Sequence, residues 1–203
     1  MAYETQSKKT SAKAMDAWED AALIEEISGG NHRAFQVLMR RHLPMSLGVA
    51  QRMVGNPTDA DEIAQEAFLK VWTGAARWRS DGQAQFKTWF YRVVINLCID
   101  RKRKKTTEPL DEAEDAMDPS PNSFDQISTQ ETARLMSDAV NALPERQKSA
   151  ITLFYYSDLS GSETAQALNV SVSALDSLLV RGRRALRARL MALGILDEIG
   201  GAP

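Results

Sequence analysis

The stretch SGSETAQALNVSVSALDSLLVRGRR, residues 160–184, decides the fold class. Ser160 and Glu163 have capping-box spacing, in which a hydroxyl and a carboxylate satisfy backbone donors at a helix start, so a short helix is expected to end near Leu168. Asn169 is a turn residue that tolerates the left-handed conformation, and Ser171 can cap a last helix running to about Leu193. Two capped helices across a tight turn make a helix-turn-helix when a small residue stands where they cross, and Ala165 is that residue. Leu168, Val170, Leu175 and Leu178 or Leu179 supply the packing set. Ser173, Ala174, Ser177, Arg181 and Arg184 then fall on the outward face. That face suits a DNA major groove. A capped hairpin with a solvated basic end is the competing reading, but Arg181, Arg183, Arg184, Arg187 and Arg189 gather on one helix against Asp176 alone, which favours DNA.

Upstream, helices are expected over about 131–142 and 145–157, either side of Pro144. Before them, residues 106–128 contain Pro109, Pro119 and Pro121, and from Glu108 to Asp125 carry seven anions and no cation. This segment reads as an acidic linker. Residues 16–105 form a first domain with four expected helices: Trp18–Ile27 ending at Gly29-Gly30, Arg33–Val54 ending at Gly55, one starting at Thr58 and running to about Trp78, and Phe86–Lys104. Pro44 should kink or interrupt the second. Residues 129–195 form a second domain, with 1–15 and 196–203 as unstructured ends. No alternating apolar run makes a convincing strand, so the fold class is all-α, two small helical domains on a flexible linker.

The chain has 203 residues and a net charge of only -2, an average that conceals segregation. Between Phe86 and Lys105 there are seven cations against Asp100 alone. The lone cysteine, Cys98, excludes an intrachain disulfide and suits a reducing compartment. The N-terminus has lysines with no apolar segment behind them, and no uncharged run approaches membrane-spanning length. A cytoplasmic protein without membrane insertion is expected.

Two further motifs carry chemistry. In FKTWFYRVVINLCIDRKRKK, residues 86–105, Phe86, Phe90, Val93, Val94, Leu97 and Cys98 share a core face. Thr88, Arg92, Asn96 and Arg103 lie on another, with Trp89 and Tyr91 beside it. Rings that stack on bases, together with cations that hold phosphates, are what single-stranded DNA requires. Alternatively the aromatics are core and the cations a solvated helix end. In TDADEIAQEAFLKVW, residues 58–72, Asp59, Glu62 and Glu66 line one face with Gln65 nearby. No histidine joins them, which argues against a metal site. A solvated face and a docking surface for a basic partner both remain open.

These three motifs, in this order and around this linker, resemble regions 2 and 4 of the extracytoplasmic-function sigma factors, over nearly all of the chain outside its ends and linker. The resemblance implies that Asp59, Asp61, Glu62, Gln65 and Glu66 dock on the β′ clamp of core RNA polymerase. It implies that Arg77, Trp78, Lys87, Trp89, Arg92, Asn96, Arg101, Arg103 and Lys104 melt and read the minus-10 element, the loop 77–85 capturing a flipped base. Ser171, Ser173, Ala174, Ser177, Arg181, Arg183 and Arg184 would read the duplex minus-35 element, region 4 also meeting the polymerase β flap. It further implies stress-responsive control by an anti-sigma factor, no cofactor, no metal and no catalytic residue. This sequence departs from many members in having Asp176 and Leu178 where a basic pair often stands. The alternatives are a dimeric helix-turn-helix repressor and a helical adaptor without a DNA role; an enzyme is disfavoured by the lack of a nucleophile-base pair or a phosphate loop.

Overall fold

The computed structural model describes residues 15–77, 85–107 and 134–194. Every regular element among them is helical. In order, α1 is Asp20–Ser28, α2 His32–Val54, α3 Pro57–Gly74 and α4 Phe86–Thr107. The C-terminal half holds α5 over 134–141, α6 Glu145–Tyr156, α7 Gly161–Ala167 and α8 Val172–Ala192.

Local chemistry sets most boundaries. Asn31 caps α2 by accepting from the Arg33 and Ala34 amides, and Gly55, with φ of +80°, closes it by donating to Gln51 O. The start of α3 differs from expectation: Asn56, rather than Thr58, is the cap, accepting from the Asp59 amide with Pro57 in the first turn. The helix also stops sooner, at Gly74, and passes into a 3-10 turn, Ala75–Arg77. Pro44 does not interrupt α2. The helix is held on both sides of it by buried residues, Val37 and Leu38 before, Val49, Ala50 and Met53 after, so tertiary packing outweighs one lost backbone bond.

The main core gathers Leu23, Leu38, Met53, Ile63, Phe68, Phe90, Tyr91 and Val94, with Phe86, Phe90 and Phe68 in ring contact. Leu153, Leu159 and Ala167 of the C-terminal half belong to the same core, so the two halves meet along a packed seam rather than across solvent. A second core locks the helix-turn-helix through Leu143, Ala150, Ile151, Ala165, Leu175, Leu178 and Leu179. Gly182 is required where α8 crosses α6, because a Cβ there would lie 2.9 Å from Ile151 Cγ1. The expected linker beyond residue 107, both chain ends and the loop at 78–84 lie outside the described residues.

Candidate nucleic-acid and partner interfaces

The helix-turn-helix forms as its capping pattern predicts. Ser160 Oγ accepts from the Glu163 amide, and the Glu163 carboxylate accepts from the Ser160 hydroxyl and the Ser160 backbone amide; these last two bonds, the hydroxyl's foremost, hold the Glu163 carboxyl below its usual range. Asn169 adopts φ of +54° in the turn. Ser171 caps α8 by accepting from the Ala174 amide at 3.1 Å. The Ser177 hydroxyl donates to Ser173 O, and Arg181 Nε donates to Ser177 O at 3.1 Å, which lays that guanidinium along the helix. Ser173, Ser177, Arg181, Arg183 and Arg184 are exposed, with Ala174 half-buried among them. Asp176 is exposed on the same helix and Leu178 is core.

On α4 the outcome is mixed. Asn96, Arg103 and Lys104 are exposed and Trp89 is half-buried against Phe86. Thr88, placed on the polar face, and Tyr91, placed beside it, are instead fully buried, Tyr91 in the core it shares with Leu153, Leu159 and Ala167 of the C-terminal half. Burial and the nearby Asp158 push the Tyr91 phenol far above its ordinary value. Lys87 donates to Asp158 O at 2.9 Å, and the Arg92 guanidinium donates to Gln166 O and Ala167 O. The Arg77 side chain and Trp78 lie outside the described residues.

The carboxylate row on α3 is split. Asp59 is only 7% exposed, so it is not offered to a partner: it accepts from Arg101 at 2.8 Å and from Lys105, tying the start of α3 to the end of α4. Arg101 also meets Glu62 at 2.7 Å, and these two acids, Glu62 foremost, raise the guanidinium pKa further. Arg101 is thus engaged within the chain. Asp61, Glu62, Gln65 and Glu66 stay exposed, Glu66 pairing with Lys70 one turn on.

The sequence reading missed what lies beside them. Asp61 and Gln65 border a cavity of about 560 Å³ between α2 and α3, lined by Phe35, Met39, Leu43, Leu47, Phe68, Leu69 and Trp72. His32 stacks on Trp72 at 4.5 Å at one end, and Leu69 is 59% exposed on the rim. The only trace of it in the sequence of α3 is Leu69, apolar but outside the core stripe, which by itself looks like any exposed leucine. Among the described residues no cluster of His, Cys, Asp or Glu is placed to hold a metal, and no helix is long and apolar enough to cross a membrane.

An all-helical protein with an exposed helix-turn-helix face, a second helix rich in cations and a separate apolar groove is built as a DNA-binding protein with a protein partner. The chain belongs to the sigma-70 family, in its extracytoplasmic-function group. Sigma-70 region 2 matches residues 38–108, and Sigma-70 region 4 matches residues 133–186. The ECF RNA polymerase sigma factor SigW of Bacillus subtilis is 30% identical over 84% of this chain and 96% of its own length. The structure of CnrH in complex with the cytosolic domain of CnrY superposes with a TM-score of 0.67 at 25% identity, over 85% of this chain and 97% of that one. The sigma factor RpoE in complex with the anti-sigma factor NepR from Bartonella quintana shares the fold, with a TM-score of 0.61 at 20% identity over 77% and 96%.

Proposed function

We propose that this chain is a cytoplasmic promoter-specificity subunit, without catalytic residues, that binds core RNA polymerase and directs initiation at promoters with spaced minus-35 and minus-10 elements. The α2–α3 groove carries the proposal. Its apolar floor, with Asp61 and Gln65 at the edge and Glu62 and Glu66 beyond, has the chemistry to seat an amphipathic, basic helical element, which the polymerase β′ clamp would supply. Ser173, Ser177, Arg181, Arg183 and Arg184 would enter the minus-35 major groove, with Ser171 and Ala174 at its edge. Lys87, Trp89, Arg92, Asn96, Arg103 and Lys104 would take the minus-10 strand, helped by Arg77 and Trp78. Asp59 and Arg101 hold α3 and α4 in register instead of contacting partners. Region 4 would rest on the β flap.

CnrH was solved with CnrY, and RpoE with the anti-sigma factor NepR. A dedicated anti-sigma factor, released under stress, is proposed here by analogy. The test is mobility shift of a promoter fragment by the chain alone, by core polymerase alone and by both. Sequence-specific retention by the pair only is expected. Retention of a palindromic duplex by a dimer of the chain alone would refute the proposal.

A further inference from the structure

Three consecutive residues of α2, Arg40, Arg41 and His42, grip the chain where it enters α1. Arg40 pairs with Asp16 at 2.7 Å, and Arg41 donates to the Asp20 carboxylate and to the backbone oxygens of Asp16 and Trp18. Both cations are exposed. His42 is not: it is 6% exposed, its Nε2 lies 2.7 Å from Asp20 Oδ2, and its ring enters the aromatic cluster at the start of α4. Burial by itself would raise the Asp20 carboxyl, but the contacts with His42 and then Arg41 outweigh it and hold the acid below its usual range, so it stays a carboxylate. A carboxylate only accepts, which makes Nε2 the donor.

The ring that this bond orients is the first of a series. His42 meets Phe86 edge to face at 5.3 Å and lies 5.9 Å from Phe90. Phe86 stacks on Phe90 at 5.5 Å and leans on Trp89 at 5.9 Å. Phe86 is 4% exposed and is the first residue of α4, so its seat sets where that helix starts. Trp89, half-buried, is the ring already placed among the minus-10 contacts. An aliphatic side chain at position 42 would fill similar space without fixing a ring plane, because apolar packing is non-directional whereas a hydrogen bond to a carboxylate is directional. A buried imidazole also carries a desolvation cost that an aliphatic residue lacks, and only the made bond offsets it. The placement suits orientation rather than bulk.

We propose that Asp20 and His42 are positioning residues for the minus-10 reader: the carboxylate fixes the imidazole, the imidazole seats Phe86, and Phe86 sets the ring of Trp89 that stacks on the strand. Neither Asp20 nor His42 touches DNA. The proposal rests on the assignment of Trp89 to the minus-10 strand.

The test uses the full chain bound to core polymerase and a forked promoter probe whose minus-10 segment is single-stranded, with a fluorescent base in that segment reporting capture. His42→Phe keeps a ring in the pocket and loses the bond, Asp20→Asn keeps an acceptor and loses the charge, and Arg40→Gln breaks the neighbouring surface pair of the same α1–α2 joint as the control. His42→Phe and Asp20→Asn should each weaken capture by about fivefold, the loss expected when one hydrogen bond no longer supports the bound state, with affinity for core polymerase and for a duplex minus-35 fragment unchanged. The control should capture like the parent. Because both residues act through one bond, the double variant should lose no more than the worse single variant, whereas an effect of Asp20 exerted through Arg41 would add. Fluorine resonances of chain grown with fluorotryptophan, assigned through Trp89→Phe, read the ring directly: Trp89 should shift in both variants while Trp72, in the groove, stays. Additive losses, an unmoved Trp89 resonance, or a parallel fall in core and minus-35 affinity would each overturn the proposal. A parent that cannot capture the forked probe condemns the minus-10 assignment itself; a parent that captures it beside variants that do so equally well condemns the positioning role alone.

Discussion

Leu69 offers a clean separation of docking from folding. Its side chain is 59% exposed at the rim of the α2–α3 groove. Complete burial of a leucine side chain stabilises by roughly 1.5–3 kcal/mol, so covering the exposed share on docking is worth about 1–2 kcal/mol. Leu69→Ala removes most of that apolar surface, for a loss of about 1 kcal/mol, or about fivefold in affinity. Leu69→Lys adds a charge that a basic partner repels and should lose at least another factor of ~3. Substitution of a residue this exposed should change folding stability by no more than ~0.5 kcal/mol. The assay is competition of labelled parent chain from core polymerase, with thermal denaturation of each variant as control. Unchanged affinity for both variants would refute the docking assignment of the groove, and a large fall in melting temperature would refute the reading of Leu69 as a surface residue.

Three further outcomes follow from other sites. Ser160→Ala removes the capping box of α7 and should cost about 1 kcal/mol in denaturant unfolding; because the Glu163 carboxyl is held below its ordinary 4.5, its contribution is present above that value and lost as pH falls through the folded one, and in the variant this acid dependence should shrink. Lys148 is buried beside the Lys102 ammonium and Cys98 of α4, and desolvation first, then Lys102, lower its pKa from 10.5 to about 7. Unfolding restores the higher value, so the seam's contribution weakens as pH falls from about 10 to about 7 and is indifferent below that, which denaturant unfolding of the full chain across this range should show. Asp176, exposed near the start of α8, is an acceptor suited to a cytosine amino group; Asp176→Ala should relax selection of cytosine at one minus-35 position by a factor of about 5–100, read from selected promoter libraries.

What was legible in the sequence was local. The Ser160–Glu163 box, the Asn169 turn and the Ser171 cap are each decided within four residues, and all three form. Pro44 misled because its cost is local while the packing that overrides it comes from α1, α3 and α4. Asp59 looked like a member of a surface row because helical spacing says which residues share a face, and nothing of what crosses it; Arg101 and Lys105 stand 42 and 46 residues away. The seam was out of reach for the same reason, its bonds joining residues 71 to 95 apart. Thr88 and Tyr91 have polar atoms and lie beside Arg92, so an accessible face was the natural reading, and only tertiary packing buries them. The groove escaped notice because a leucine on a helix rim has no signature that distinguishes a docking anchor from an ordinary exposed leucine.

The most direct test of the central claim is run-off transcription from a promoter library by purified bacterial core polymerase, with and without this chain, followed by sequencing of the transcript starts. The account predicts new start sites that appear only when the chain is present and that share minus-35 and minus-10 motifs at fixed spacing. Core polymerase that stays silent with the chain, while the chain alone retains duplex DNA, would contradict it.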